Sequence, residues 1–434
     1  MEKERADMER LPQAVLRVME EAKTRLADNP KLQQLFLNCF PNTLQTTTKL
    51  HEDGTSYVFT GDIPAMWLRD SSAQVRQYMP LAKEDADIRR IIAGLVRKQL
   101  KYIQIDPYAN AFNEEEIPLD QIHHRDQTEL NGWVWERKYE IDSLCYPIQL
   151  SYLYWKETGD TSLFDGEYKT VAHIIMNLWT TEQRHFEQSP YRFSRMDCRK
   201  TDTLKNNGRG MPVNYTGMTW SGFRPSDDAC TFGYLIPSNM FAVVVLRYLE
   251  EIATAVYEDA PFAAKARALC EEIEDGIRNY GIFHHPKYGK IYAYETDGFG
   301  NYNLMDDANV PSLLAIPYLG YTTEDDPIYQ NTRRFILSED NPYYYSGKAA
   351  QGIGSPHTPD RYIWHIALSM QGLTAGTQEE IDGLIRLLTA TDADTGYMHE
   401  GFHVDDPAQF TREWFAWSNS LFSELIYREY WLKA

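Results

Sequence analysis

The chain has 434 residues, with 43 Lys and Arg against 63 Asp and Glu, and a formal charge of −20 at pH 7. This acidic balance, with an isoelectric point of about 5.0, argues against a nucleic-acid or anionic-membrane partner, because either needs a clustered basic face. Hydrophobic residues at 43% and charged residues at 24% are ordinary globular proportions, which excludes long disorder.

The opening stretch Met1–Arg10 is charged and no apolar core follows it, so no signal peptide is expected. The longest strongly apolar run, Met240–Leu246, is far shorter than the ~20 residues of a membrane span. A cytoplasmic protein is the expectation. In chain order, a first one-faced helix is read at Val15–Leu26, and the clearest follows at Ile88–Ile103. There Ile88, Ile91, Ile92, Leu95, Val96, Leu100 and Ile103 share one face, Arg89, Arg90, Arg97, Lys98 and Lys101 take the other, and Asp87 stands where an N-cap belongs. Similar stretches occupy Val171–Trp179, Ala263–Ile277, Ile328–Leu337 and Ile381–Leu388. Between them lie helices apolar on most sides: Ile141–Trp155, Ile236–Leu246, Val310–Leu319, Tyr362–Leu373 and Phe415–Tyr427. A helix apolar all round is one that other helices surround. Strand patterns are confined to short pieces such as Ile291–Tyr294. The five cysteines are scattered and form no CxxC pair, so neither a disulfide framework nor a zinc knuckle is indicated.

Loops dense in aromatic, acidic and Gly/Pro residues punctuate this alternation. They are Gly61–Ser71, Trp133–Asp142, Trp220–Asp228, Tyr302–Asn309, Gly354–Arg361 and Arg412–Asn419. Marked by Asp70, Asp142, Asp228, Asp307, Asp360 and Trp414, they recur about every 70 residues, which is room for two helices and their connections. Six hairpins with inner helices alternating with outer ones make an all-α, (α/α)6 toroid, a single domain over residues 1–434, with the six loops gathered at one mouth. The competing arrangement is two unrelated helical domains, and no Pro/Gly/Ser linker supports it.

Carboxylates and flat aromatic surface at one mouth suit a carbohydrate, whose hydroxyls need carboxylate and Arg or Lys partners and whose C–H face needs an aromatic ring. Hydrolysis of a glycosidic bond needs two carboxyls, one to protonate the leaving oxygen and one to activate water or attack the anomeric carbon. Any single Asp opening a helix also reads as an N-cap. The residues alone support a glycosidase or lyase of (α/α)6 type.

Longer strings carry more. Thr60–Gln74 (Thr-Gly-Asp-Ile-Pro-Ala-Met-Trp-Leu-Arg-Asp-Ser-Ser-Ala-Gln), Phe223–Phe241, Gly354-Ser-Pro-His357-Thr-Pro, His399-Glu400-Gly401-Phe and Trp414-Phe-Ala-Trp417-Ser-Asn419-Ser together resemble glycoside hydrolase family 125, the exo-α-1,6-mannosidases, from about Gln34 to the C-terminal end. The resemblance implies an inverting, metal-independent (α/α)6 enzyme, without a cofactor, that removes non-reducing-end mannose from manno-oligosaccharides and N-glycan fragments. It implies a general acid in Pro225–Asp228, assigned to Asp227 with Asp228 as its rival, and a general base at Glu400. Inversion requires the two carboxyls to stand ~6.5–9.5 Å apart, against ~5–5.5 Å for retention. Arg69 and Asp70 are the next candidates, as a fork on mannose hydroxyls, or else an ion pair opening a helix. Glu136, Lys138, Asp142, Asp228, Arg224, His357, Trp364 and Asn419 are candidates on the same mouth. Trp67, Trp220 and Trp417 could stack on sugar or simply fill the core.

One rival motif remains. His399-Glu400-Gly401-Phe402-His403 satisfies H-E-x-x-H, the zinc metallopeptidase pattern, whose chemistry needs both His on one helical face. Gly401 inside it and turn residues on both sides disfavour a helix. An (α/α)6 glycosidase for another sugar and a non-catalytic carbohydrate-binding toroid complete the alternatives.

Overall fold

Two outer helices, α1 (Gln13–Arg25) and α2 (Pro30–Cys39), lead into a regular alternation in the computed structural model, which describes residues 11–124 and 126–433. Inner α3 (Leu68–Arg76), α5 (Ile141–Thr158), α7 (Ile236–Ala255), α9 (Ile316–Leu319), α11 (His365–Leu373) and α13 (Ala416–Tyr427) alternate with outer α4 (Ala86–Ile105), α6 (Gly166–Glu182), α8 (Ala260–Tyr280), α10 (Pro327–Ile336) and α12 (Gln378–Ala390). The charged stretch Met1–Arg10 lies outside the described residues.

Burial explains the two rings. Every residue of α7 from Ile236 to Leu246 is buried, whereas α8 buries one stripe through Phe262, Ala263, Ala266, Leu269, Cys270, Ile273 and Ile277. In the inner ring α3 packs on α5, α5 on α7 and α7 on α9; α11 packs on α13, and α13 returns to α3. The fold is therefore an all-α (α/α)6 toroid whose last helix seats against its first inner one. Among the described residues no helix is long and apolar enough to cross a membrane.

The two rings also start their helices differently. Outer α2, α4, α6, α8, α10 and α12 are capped by side chains of Asn29, Asp85, Asp165, Asp259, Asp326 and Thr377. The residues before inner α3, α5, α7, α11 and α13 are Trp67, Glu140, Leu235, Trp364 and Phe415, and none caps through its side chain. Loop backbone takes over instead: the amides of Leu68, Ile236 and Ala416 donate to the carbonyls of Asn110, Tyr294 and Thr60. Acidic side chains at the inner-helix starts are thereby left for other work.

Three expectations change. Asp85, not Asp87, caps α4, its carboxylate accepting from the amides of Asp87 and Ile88. The helix read at Val310–Leu319 is limited to Ile316–Leu319, because Pro311 lacks an amide and the preceding residues form a loop. Tyr362–Trp364 is a strand paired with Gly401–His403, so that helix begins at His365. Helix α3 escaped the apolar pattern altogether: it buries Arg69, Asp70, Ser71, Ser72 and Gln74.

Asp85 also accepts the amide of Ala14 at 2.9 Å, tying α1 to α4. Asp85→Ala is expected to destabilise the protein by about 1–2 kcal/mol, and Asp87→Ala by less than about 0.5 kcal/mol, as read by urea unfolding of both variants.

Candidate active site

A pocket of ≈ 340 Å³ opens at the mouth, lined by Thr60, Ile63, Trp67, Arg69, Asp70, Ser226, Asp227, Asn309, His357, Trp364, Glu400, Arg412 and Phe415. Five of the six special loops contribute to it, together with the His399–His403 segment.

Its floor is built on Arg69. The strand Met66–Trp67 pairs with Ala111–Phe112, which pairs in turn with Val134–Glu136, and this small sheet delivers the first turn of α3 to the mouth. The Arg69 guanidinium is buried and reaches Glu140 (Nη1–Oε2 2.6 Å), Asp142 (Nη1–Oδ2 3.0 Å), Asp70 (Nε–Oδ2 3.5 Å) and Asp227 (Nη2–Oδ1 3.9 Å). Burial pushes the Asp70 carboxyl up to about 6, and Asp227 adds to the rise, while Arg69 and Arg412 oppose it.

Asp227 sits on a tight three-residue turn. The amide of Asp227 donates to the Arg224 carbonyl at 2.9 Å and the amide of Arg224 to the Asp228 carbonyl at 2.8 Å. Asp227 itself is left-handed, with φ 70°, as expected where a type I turn closes through a bulge residue. Asp tolerates that conformation better than most side chains. The turn is tethered from below: Ser226 Oγ donates to Asp307 (2.6 Å), Asn309 Nδ2 to the Pro225 carbonyl (2.8 Å), and Lys138 Nζ to the Asp227 carbonyl (2.9 Å). The Asp227 side chain is 29% exposed toward the pocket.

Glu400 precedes the strand Gly401–His403, which lies between Tyr362–Trp364 and Asp406–Phe410. Its neighbours are pinned: the Met398 amide donates to Asn419 Oδ1 at 2.9 Å, and Ser418 Oγ to the His399 carbonyl at 2.8 Å. Arg412 Nη1 stands 3.6 Å from Glu400 Oε1. Nearby, His357 Nδ1 meets Asp228 Oδ1 at 3.3 Å. Burial disfavours charge on that ring, but the hydrogen bond to Asp228 and the charges of Asp227 and Glu400 outweigh it and raise its pKa.

Of the sequence-derived candidates, Asp227, Glu400, Arg69, Asp70, His357, Trp364 and Trp67 line the pocket. Asp228 is buried behind it. Asp142 sits under Arg69, and Lys138 sits under the Asp227 turn. Glu136 is engaged by Arg195 (2.9 Å) and Asn110 (3.1 Å); burial works against its charge, yet Lys138 and Arg195 bring its pKa down to about 2. Arg224 donates to Glu295 at 2.6 Å, away from the pocket lining. Asn419 braces the Glu400 segment from behind. Trp417 and Trp220 are core: Trp417 lies edge-on to Tyr146, and Trp220 stacks on His185 at 3.6 Å. The H-E-x-x-H reading fails on geometry, since Gly401–His403 is a strand rather than the helix that motif needs, and His399 stacks on Phe410 at 3.8 Å. Among the described residues no group of His, Cys, Asp and Glu is arranged to hold a metal ion. Sequence reasoning missed Arg412, Asn309 and Thr60. Their loops were singled out, but pattern alone does not rank residues within a loop.

A family model described as metal-independent alpha-mannosidase (GH125) matches residues 29–427. The chain is 42% identical over 433 residues to the meiotically up-regulated gene 157 protein of Schizosaccharomyces pombe, covering 95% of this chain and 85% of that one. It superposes with TM-score 0.93, at 54% identity and over 96% of this chain and 98% of the other, on a Streptococcus pneumoniae protein from work on metal-independent alpha mannosidases, solved as a non-productive substrate complex with alpha-1,6-mannobiose. A glucoamylase from Saccharomycopsis fibuligera shares the fold alone, at TM-score 0.57 and 12% identity over 97% of this chain and 96% of its own.

The Asp70 environment predicts a signature in stability. Between about pH 4 and pH 6 the folded chain holds the Asp70 proton that the unfolded chain has released, so stability falls as pH rises through that window and stays lower above it. The contribution is about 3 kcal/mol. Asp70→Asn is expected to be more stable than the parent at pH 7 and to lose that part of the downward slope, measured by urea unfolding from pH 4 to pH 7.

Proposed function

The chain belongs to the metal-independent α-mannosidases of GH125, and from that membership we propose that it is an exo-acting, inverting enzyme that removes non-reducing-end α-1,6-linked mannose from manno-oligosaccharides and N-glycan fragments. The whole chain acts as one catalytic domain, in keeping with the contact between α13 and α3 that joins its two ends. Asp227 protonates the leaving glycosidic oxygen, and Glu400 deprotonates the water that attacks the anomeric carbon from the opposite face of the ring.

The observation that carries this reading is a single pocket lined by both carboxylates, each delivered by a rigid backbone device from a different part of the chain. Asp227 lines the pocket whereas Asp228 is buried behind it against His357, which favours Asp227 as the acid. Arg69, Asp70 and His357 supply the charged partners that sugar hydroxyls require, and Trp67 and Trp364 the apolar surface.

Proton NMR of α-1,6-mannobiose hydrolysis tests the reading. β-Mannose as the first product is expected; α-mannose overturns inversion, and no release points to another sugar or to binding without turnover. Asp227→Asn and Glu400→Gln are each expected to lower kcat by about 10²–10⁴ with unfolding midpoints near that of the parent, and a parental rate removes that residue from its role.

A further inference from the structure

Glu400 is held by more than its own strand. The residues flanking it are gripped by the residues flanking Arg412: the Thr411 amide donates to the Gly401 carbonyl at 2.8 Å, Thr411 Oγ1 accepts from the Gly401 amide at 3.1 Å, and His399 Nδ1 meets the Glu413 carbonyl at 3.1 Å. Arg412 and Glu400 are thus the facing central residues of a clamped pair. Arg412 is also left-handed, with φ 49°, a conformation that a long side chain adopts only where its surroundings enforce it. Its guanidinium lies 4.3 Å above the Phe415 ring. It is shared between two carboxylates, with Nη1 3.6 Å from Glu400 and Nε 3.1 and 3.2 Å from the two oxygens of Asp62. Asp62 stands outside the pocket lining, and its amide donates to the Trp414 carbonyl at 3.1 Å.

We propose that Arg412 is a positioning residue that holds the Glu400 carboxylate turned into the pocket, and that Asp62 fixes where the Arg412 guanidinium stands. The proposal rests on the reading of Glu400 as general base. The guanidinium 3.6 Å from Glu400 Oε1 gives that carboxylate an oriented partner on the pocket wall. Asp62 anchors the guanidinium from the rim side, so Arg412 reaches Glu400 without collapsing onto Asp70 deeper in the pocket. The other charged groups that line the pocket with Glu400 are His357, Asp70, Asp227 and Arg69; Arg412 also opposes the rise of the Asp70 pKa, and Arg412→Lys keeps that charge.

The test is kcat and KM on α-1,6-mannobiose at neutral pH for the parent, Arg412→Gly, Arg412→Lys and Asp62→Asn. Glycine adopts the left-handed backbone without cost, so Arg412→Gly removes the cation while relieving strain, and circular dichroism with a urea midpoint checks that it folds. Expected for Arg412→Gly are a fall in kcat of about 10²-fold and KM within a few-fold of the parent. Arg412→Lys restores most of kcat, and Asp62→Asn lowers kcat several-fold. A folded Arg412→Gly with the parental kcat, a loss confined to KM, or no rescue by Arg412→Lys overturns the proposal. Glu400→Gln separates the two readings. Inactive Glu400→Gln beside a parental kcat in Arg412→Gly overturns the role of Arg412 alone, whereas active Glu400→Gln overturns the base assignment and this proposal with it.

Discussion

The buried guanidinium of Arg69 is the interaction on which the mouth depends. One cation faces Asp70, Glu140, Asp142 and Asp227, drawn from the starts of α3 and α5 and from the turn before α7. A lone charge in such a place is untenable, so the carboxylates are needed to hold the guanidinium, and the guanidinium to hold them. Four acids against one cation is an excess. Burial accordingly raises the pKa of Glu140 and of Asp142, with Arg69 opposing in both cases, and leaves Asp70 near 6. The floor of the pocket therefore retains protons at pH values where exposed carboxylates have lost them, which is the environment acid–base chemistry at a sugar requires.

The second constraint is the seam. Gly61, at φ 134°, bridges to Phe415, and a Cβ there would meet the Trp414 carbonyl oxygen at 2.5 Å. Only glycine lets the first special loop lie against the last. That contact brings Asp62 within reach of Arg412 across 350 residues of chain and through Arg412 touches Glu400. Ring closure thus supplies the second carboxylate, Asp62, to the guanidinium that faces Glu400.

The outer ring was legible because its physics is local. An amphipathic stripe and a side-chain cap are written in consecutive residues, and α4, α6, α8, α10 and α12 follow their patterns to within a few residues at each end, with the α4 cap displaced from Asp87 to Asp85. Inner α5, α7 and α13 were legible from their unbroken apolar runs. Helix α3 was not, because its buried face is polar to serve the pocket, and the stretch before α9 was not, because apolar content does not reveal a loop built around Pro311. Among site residues, the resemblance to family 125 drew attention to Asp227 and Glu400, and the charge pattern to Arg69 and Asp70. Arg224, Glu136 and Trp220 share those motifs but spend their polar or aromatic groups on Glu295, Arg195 and His185. Arg412 was invisible because its position follows from a left-handed backbone and from Asp62, 350 residues away along the chain, neither of which leaves a local signature.

Several of the interior's unpaired polar atoms lie at the mouth. Asp227 Oδ1, Asp228 Oδ2, Arg69 Nε, Glu140 Oε1 and Trp67 Nε1 are buried without a hydrogen-bonding partner among the described residues. Buried polar groups are normally paired, and each exception costs about 1–3 kcal/mol. Such fixed, under-satisfied donors and acceptors discriminate strongly for a ligand that offers complementary hydroxyls and against one that lacks them. The strain at Asp227, the uncapped inner helices and the unpaired atoms are then a single arrangement, in which stability given up at the mouth holds the polar groups ready before a sugar arrives.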